Sequence, residues 1–273
     1  MTRQQVARVL AIVDKDLREL ARNPGAWVPA VAMVLGALVP AFLVVVVTPR
    51  LMGKSLEAGG EFTEQARAAV TVLPDLAALS GEALVQAFLF VQFSMLLLLV
   101  PVVASMALAT HAVIGEKQAK TLEPLLATPL TALELLAAKT LTPFGLTLLL
   151  TWTSLGLYVG GIALVGEPGV AAALVGPHTA LLFLVDGPLV GLAALLLAVV
   201  ISSRVNDPRS AQQLGSVMVL PITAVFVGQL MGHFVLGPGA LALAGAGLVL
   251  LNAGLLWVGI RVFDRETILM RWR

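Results

Sequence analysis

Six long apolar segments, separated by polar stretches, dominate the hydrophobic pattern of this 273-residue chain. They occupy residues 26–47, 83–114, 133–159, 178–201, 211–236 and 240–262. A helix needs about 20 consecutive apolar residues to cross a hydrocarbon core roughly 30 Å thick, and each segment is close to that length or longer. The pattern therefore predicts an all-α integral membrane protein with six transmembrane helices, built as one transmembrane domain over residues 1–273.

A different pattern precedes the first apolar segment. Between residues 1 and 25, apolar residues recur at three- and four-residue steps, while Arg18 and Arg22 fall on the opposite face. Such a pattern predicts an amphipathic helix lying in the membrane surface. Pro24 then disfavours helix at the residue before it, so the chain can turn into the bilayer there. We expect residues 1–25 to form an elbow helix, and the charges in it exclude a cleavable signal peptide.

The polar connections differ in charge. Residues 48–82 are rich in acidic residues, and the connector at 160–176 has no Lys or Arg and is expected to be weakly structured. Within the first connection, a short surface helix over residues 61–78 and a solvated loop fit the pattern equally well. All but three of the 17 Lys and Arg residues lie on the other side of the predicted spans. The positive-inside rule then predicts a multi-pass protein of the plasma (inner) membrane with both termini cytoplasmic.

The composition also indicates a membrane protein, and it excludes several kinds of chemical site. The chain is 59% hydrophobic and 12% charged, with a mean hydropathy of +0.97, which a soluble globular protein cannot accommodate. It has no Cys, which excludes disulfides, thiolate metal sites and cysteine nucleophiles. The motifs GxxxxGK[ST], HExxH and GxSxG are missing. We therefore expect no enzyme activity, no catalytic, cofactor or metal residues in this chain, and no nucleic acid partner.

Apart from Glu134 at the start of the third segment, Asp186 is the one acidic residue inside the apolar segments. Burial of a charge in a membrane is costly, so such a residue is a candidate for the transport path. It lies in the outer part of the fourth segment, next to Gly187 and Pro188, within snorkelling reach of the headgroups. A role in breaking the helix or in an interface is the more strongly favoured alternative.

The hairpin at residues 115–130 joins the second and third predicted spans. Thr121 can cap a short helix, Glu123 falls in its first turn, and Pro124 sits where its missing N–H costs nothing. The helix must end before Pro129, so it has about two turns. Its apolar side consists of Leu122, Leu125 and Leu126. Such a helix could fit a groove of a partner protein, or it could lie buried among lipid headgroups.

This hairpin resembles the type-2 ABC exporter permease family, the membrane subunits of ATP-binding-cassette transporters. The family pattern is G-E-K/R-x-x-G-T-L/F-E-x-L-L-x-T-P. It is matched here by Gly115, Glu116, Lys117, Thr121, Leu122, Glu123, Leu125, Leu126, Thr128 and Pro129. Lys120 departs from it, because the family commonly has Gly there. The elbow with Arg18, Arg22 and Pro24, the turn at residues 202–209 and the tail at 263–266 support the resemblance.

The resemblance implies the permease subunit of an exporter, with a cytoplasmic coupling helix in the hairpin. The ATPase-coupling residues would be Glu116, Lys117, Thr121, Leu122, Glu123, Leu125 and Leu126. It further implies a homo- or heterodimer of permeases in membrane lipid, driven by separate cytoplasmic ABC ATPase subunits that hold the ATP and Mg. Two alternatives stay open, a non-exporting ABC membrane subunit that transmits force to an extracytoplasmic partner, and an ATP-independent carrier. The substrate is not predicted.

Overall fold

The computed structural model describes residues 14, 17–18, 22–118, 132–205 and 207–262, and no β-strand occurs among them. Six helices in these ranges are long and apolar enough to cross a membrane, which confirms the predicted all-α membrane fold. We number them spans 1 to 6. Their bounds are Pro24–Met52, Gly81–Ala112, Thr140–Val165, Pro177–Ser202, Pro208–Leu230 and Pro238–Arg261.

Four of the spans are interrupted by a non-α turn. Span 1 consists of α-helix Pro24–Phe42, π-helix Leu43–Val47 and α-helix Thr48–Met52. Span 2 consists of α-helix Gly81–Ser94, 3₁₀-helix Met95–Leu98 and α-helix Leu99–Gln118, and the helix of span 3 is Ala132–Val165. Span 4 consists of α-helix Pro177–Ala180, π-helix Leu181–Asp186 and α-helix Gly187–Arg204. Span 5 consists of α-helix Pro208–Gly215, 3₁₀-helix Ser216–Met218 and α-helix Val219–Leu230, and the helix of span 6 is Pro238–Val262.

Prolines lie close to three of these irregular turns. Proline has no backbone N–H and therefore removes a hydrogen bond to the residue four positions earlier. Pro101 lies just after the 3₁₀ turn of span 2, Pro40 lies just before the π turn of span 1, and Pro188 lies just after the π turn of span 4. The hydrophobic pattern of the sequence does not predict these changes of helix type.

Span 2 is the centre of the bundle. Of its most apolar stretch, 89% is buried, against 17% for spans 5 and 6. It packs against spans 1, 3, 4 and 5, while span 6 packs mainly on span 4. Spans 1, 3, 5 and 6 bury only 17–33% of their most apolar stretches and therefore expose wide apolar faces. The helix that leads towards the 115–130 hairpin packs against the most spans.

An aromatic cluster fixes spans 1, 2 and 3 together. The ring centroids of Phe42, Phe90 and Tyr158 lie 5.6 to 5.9 Å apart in tilted and edge-on pairs. The Tyr158 hydroxyl donates a hydrogen bond of 2.6 Å to the Phe90 carbonyl. Gly161 makes room for the ring of Phe42, because a Cβ there would lie 2.6 Å from Phe42 Cζ. The three spans thus meet through close contacts that leave no space for a side chain larger than that of glycine at position 161.

The connection between spans 1 and 2 is structured. It contains the α-helix Glu61–Ala69 and the 3₁₀-helices Glu57–Gly59 and Pro74–Leu76. The Glu82 carboxylate at the start of span 2 accepts hydrogen bonds from the backbone N–H groups of Leu56 and Glu57, each 3.2 Å long. Of the two interpretations of residues 61–78, the structure favours the helix, although that helix ends at Ala69.

The predicted weak structure of residues 160–176 is wrong. The helix of span 3 continues to Val165, and a second α-helix occupies Val170–Leu174. Glycine lowers helix propensity by about 1 kcal/mol, but tertiary packing overrides that preference where a glycine is needed for a close contact. Gly161 makes such a contact with Phe42. Span 1 likewise extends beyond its predicted end at residue 47, to Met52.

Candidate functional site

The two ends of the bundle are chemically different. We call the end with Pro24, His111 and Asp207 the hairpin end, because spans 2 and 3 are joined there through residues 119–131. We call the opposite end the loop end. There the Arg50 guanidinium donates a 2.6 Å hydrogen bond to the Val165 carbonyl, so that spans 1 and 3 finish side by side.

The predicted coupling residues fall at the hairpin end. Glu116 and Lys117 lie in the α-helix Leu99–Gln118, which continues span 2 towards the hairpin. On the other side of the hairpin, the helix of span 3 is described from Ala132 onwards. Thr121, Leu122, Glu123, Leu125 and Leu126 lie outside the described residues.

The predicted elbow residues lie at the same end. Arg18 forms an ion pair of 2.9 Å with Asp14, four residues earlier, and both side chains are exposed. Arg22 is also exposed. Pro24 is the first residue of the span 1 helix, and the Asn23 side chain caps this helix by accepting a 3.1 Å hydrogen bond from the Gly25 N–H. The rest of residues 1–21 lies outside the described part of the chain.

His111 connects span 2 to the start of span 1. Asn23 Oδ1 accepts from the Gly25 N–H, so Asn23 Nδ2 is the atom that faces His111 Nδ1, at 3.4 Å. An amide nitrogen can only donate, which makes His111 Nδ1 the acceptor and places the proton of the neutral ring on Nε2. No local sequence pattern predicts this contact, because its two partners are 88 residues apart.

The broken segment of span 4 is the second candidate site. One carbonyl group of its π-helical turn and two carbonyl groups of the α-helix that follows accept hydrogen bonds from side chains of three neighbouring spans. Trp152 of span 3 donates to Phe183 at 3.2 Å. Asn252 of span 6 donates to Leu189 at 2.9 Å, and Ser105 of span 2 donates to Gly191 at 2.8 Å. Irregular helix is tolerated in a membrane where neighbours satisfy its backbone, and π-helical turns are frequent at functional sites.

Asp186 lies at the end of this π-helical turn. Its side chain is only 3% exposed, and neither carboxylate oxygen has a hydrogen-bond partner in the described part of the chain. It contacts span 6, where a Cβ at Gly245 would lie 2.8 Å from Asp186 Oδ1. The side chain is therefore packed between two spans and does not extend towards the headgroups. A carboxyl group in this position is costly unless it is protonated or meets a ligand.

Some buried amide side chains, like the Asp186 carboxylate, have polar atoms without a hydrogen-bond partner among the described residues. Gln92 in the centre of span 2 is 0% exposed, and both of its side-chain polar atoms are without a hydrogen bond to the described residues. Asn252 Oδ1 and Gln229 Nε2 are unsatisfied in the same way. The apolar interior thus contains several polar groups with unused hydrogen-bonding capacity.

Among the described residues, no group of three or more His, Asp or Glu could hold a metal ion. In comparisons with known proteins, residues 10–242 match the family described as ABC-2 family transporter protein. The match includes spans 1 to 5, the hairpin and the beginning of span 6. No curated protein matches the chain in sequence.

Proposed function

The chain belongs to the ABC-2 family of transporter proteins, the membrane subunits of ABC transporters, and we propose that it is the permease subunit of an exporter. Separate cytoplasmic ABC ATPase subunits bind ATP and Mg and drive it through a coupling helix at residues 115–130. The chain itself binds no cofactor or metal and has no catalytic residue in this proposal.

The central position of span 2 supports this proposal most directly. Its last helix contains Glu116 and Lys117 and leads into the hairpin, and span 2 packs against spans 1, 3, 4 and 5. A displacement of the hairpin therefore acts on the most connected helix of the bundle. A ligand shifts a conformational equilibrium only by its differential affinity for the two states. We propose that ATP-driven closure of the ATPase subunits supplies that difference through Glu116, Lys117, Thr121, Leu122, Glu123, Leu125 and Leu126.

The exposed apolar faces support a dimer within the lipid bilayer. Spans 3, 5 and 6 bury only 22%, 17% and 17% of their most apolar stretches within one chain. Lipid covers part of this surface, and we propose that a second permease copy, identical or related, covers the rest. The transport path then runs between the two copies.

The charges support an orientation with the hairpin end in the cytoplasm. Arg18, Arg22, Arg204 and Arg209 lie at this end, while the loop end contains a strongly acidic connection. Following the positive-inside rule, we propose that both termini are cytoplasmic and that the protein resides in the plasma (inner) membrane. The elbow with Arg18, Arg22 and Pro24 then lies on the cytoplasmic surface.

Asp186 is our candidate for a residue of the transport path. Three observations support it, namely the burial of its carboxyl group without a partner, the π turn that contains it and the glycine opposite it on span 6. Separation of spans 4 and 6 during transport would expose the carboxyl group to the substrate.

Substitutions in the hairpin test the coupling proposal. Leu125→Asp places a charge on the apolar side of the coupling helix, and Glu123→Lys reverses the charge of its first turn. We expect both variants to lose copurification with the ABC ATPase and to lose stimulated ATP hydrolysis. Leu51→Asp is the matched control, because Leu51 is 82% exposed at the loop end. Full copurification and full ATP hydrolysis by both hairpin variants would refute the proposal.

A force-transmitting subunit without export is a second candidate. The structured connection of residues 53–80, held to span 2 by Glu82, offers a platform for an extracytoplasmic partner. Accumulation of a substrate in vesicles that contain the permease and its ATPase supports the exporter. ATP hydrolysis that depends on a partner at the loop end, with no accumulation, supports the alternative.

A further inference from the structure

A cleft of about 530 Å³ opens at the hairpin end between spans 1, 2 and 5. Its apolar wall includes Val28 and Pro29 of span 1, and its polar wall includes His111, Asp207 and Arg209. Pro24 and Pro208, the first residues of spans 1 and 5, also line it. Because two membrane-crossing helices begin there, the cleft lies at the level of the lipid headgroups.

The cleft contains one positive and one negative side chain. Asp207 caps the first helix of span 5 and accepts hydrogen bonds of 2.9 Å from the backbone N–H and the hydroxyl of Ser210. These hydrogen bonds lower the pKa of Asp207, so its carboxylate stays charged at neutral pH. Arg209 lies two residues further on and is exposed. No ion pair of Arg209 with another described residue is present, and its guanidinium can bind an oxyanion with several donors.

His111 forms part of the wall between spans 1 and 2. Its Nδ1 accepts from Asn23, so the proton of the neutral ring is on Nε2. The ring also interacts with the backbone of Gly25, another residue of the cleft lining, so it holds the wall in place and offers no free donor. The ligand-binding charges of the wall are therefore the Arg209 guanidinium and the Asp207 carboxylate.

An apolar stripe leads from the cleft along span 1. Val28, Val31, Leu35 and Val39 recur at three- and four-residue steps and are between 38% and 57% exposed. Residues at these steps share one face of a helix. A polar cleft at headgroup level, continued by an exposed apolar stripe towards the bilayer interior, has the shape of an amphiphile.

We propose that the cleft binds one membrane phospholipid whose headgroup contains both a phosphate and a primary ammonium, as in phosphatidylethanolamine. The phosphate is bound by Arg209, the ammonium group by Asp207, and an acyl chain lies along the span 1 stripe. The two charges of the cleft match the two charges of this headgroup. A phosphatidylglycerol headgroup leaves Asp207 without a cation, and a phosphatidylcholine headgroup has no N–H to donate to it.

Native mass spectrometry of the full chain in detergent tests the proposal. Phosphatidylethanolamine, phosphatidylglycerol and phosphatidylcholine with identical acyl chains are titrated separately, together with soluble glycerophosphoethanolamine. We expect one tightly retained phosphatidylethanolamine per chain and much weaker binding of the soluble headgroup. Arg209→Gln removes a charge-assisted hydrogen bond and should weaken retention about tenfold. Arg204→Gln is the matched control, because Arg204 is exposed at the same end but does not line the cleft.

Asp207→Asn tests headgroup selection separately. Asparagine caps helices as well as aspartate does, so this variant keeps the helix start while it loses the charge. We expect it to retain phosphatidylethanolamine and phosphatidylglycerol equally. Equal weakening by Arg209→Gln and Arg204→Gln would contradict the proposal, because it would indicate a general surface attraction. Equal retention of all three lipids by the wild-type chain, or binding of the soluble headgroup as tight as that of the lipid, would also contradict it.

Discussion

Replacement of Gly161 by alanine tests the contact that joins spans 1 and 3. The added Cβ would lie 2.6 Å from Phe42 Cζ and 3.1 Å from Phe42 Cε1. Carbon atoms in contact prefer separations of about 3.5–4.0 Å, so the ring must move. It cannot move freely, because Phe42 packs against both Phe90 and Tyr158.

Overpacking of this kind costs about 1–3 kcal/mol. The higher helix propensity of alanine offsets about 0.5–1 kcal/mol of that cost. The net loss of about 0–2.5 kcal/mol should lower the midpoint of thermal unfolding by up to several degrees, at about 2–4 °C per kcal/mol for a chain of this size. Gly160→Ala is the matched control, because a Cβ there meets no atom within 4 Å. It should leave the midpoint unchanged or raise it slightly.

The assay is thermal unfolding of the detergent-solubilised protein, followed by the fluorescence of its four tryptophans. Phe42→Leu removes the ring that the new methyl group strikes. In that background Gly161→Ala should therefore cost less than in the wild-type chain, which a double-mutant cycle measures. Equal midpoints for Gly161→Ala and Gly160→Ala would refute the packing described for spans 1 and 3. A loss that is undiminished in the Phe42→Leu background would refute it as well.

Three further predictions concern the candidate sites. Asp186→Asn should keep or raise the unfolding midpoint, because neither carboxylate oxygen has a partner to lose among the described residues, but it should reduce substrate-stimulated ATP hydrolysis in the assembled transporter. Asn252→Leu should lower the midpoint by an amount equivalent to about 1 kcal/mol, because the Leu189 carbonyl loses its side-chain donor, and an unchanged midpoint would argue against that contact. Hydrogen bonds from Ser210 lower the pKa of Asp207 below its usual 3.8, so its stabilising effect should be complete above that pH and disappear as the pH falls below it. Asp207→Asn should remove this part of the pH dependence of the unfolding midpoint, and a wild-type pH profile in that variant would contradict the assignment.

The number and order of the spans could be predicted from the sequence because a bilayer requires long apolar segments. The ends of the helices were harder to predict from the sequence. Gly160 and Gly161 suggested a connector, yet the helix passes through both to Val165, since the contact of Gly161 with Phe42 outweighs the low helix propensity of glycine. That contact joins residues far apart in the chain, so local sequence gives no sign of it.

The candidate sites, like the fold, could be predicted only in part from the sequence. Asp186 could be found from sequence because a lone acid in an apolar segment is conspicuous, but its burial depends on Gly245 of another span. The bonds from Asn23 to His111 and from Asn252 to Leu189 link positions 88 and 63 residues apart, and no local pattern predicts them. The coupling helix stays a prediction from the residues of the hairpin and their family resemblance.

Site-specific cross-linking is the most direct test of the claim that residues 115–130 dock an ATPase. The chain has no cysteine, so a single introduced cysteine provides a unique attachment point. Leu125→Cys, treated with a short thiol-specific photo-cross-linker, should form a covalent adduct with the ABC ATPase subunit, whereas Leu51→Cys at the loop end should form none. An adduct at Leu51→Cys, or none at Leu125→Cys in a complex that hydrolyses ATP, would contradict the account.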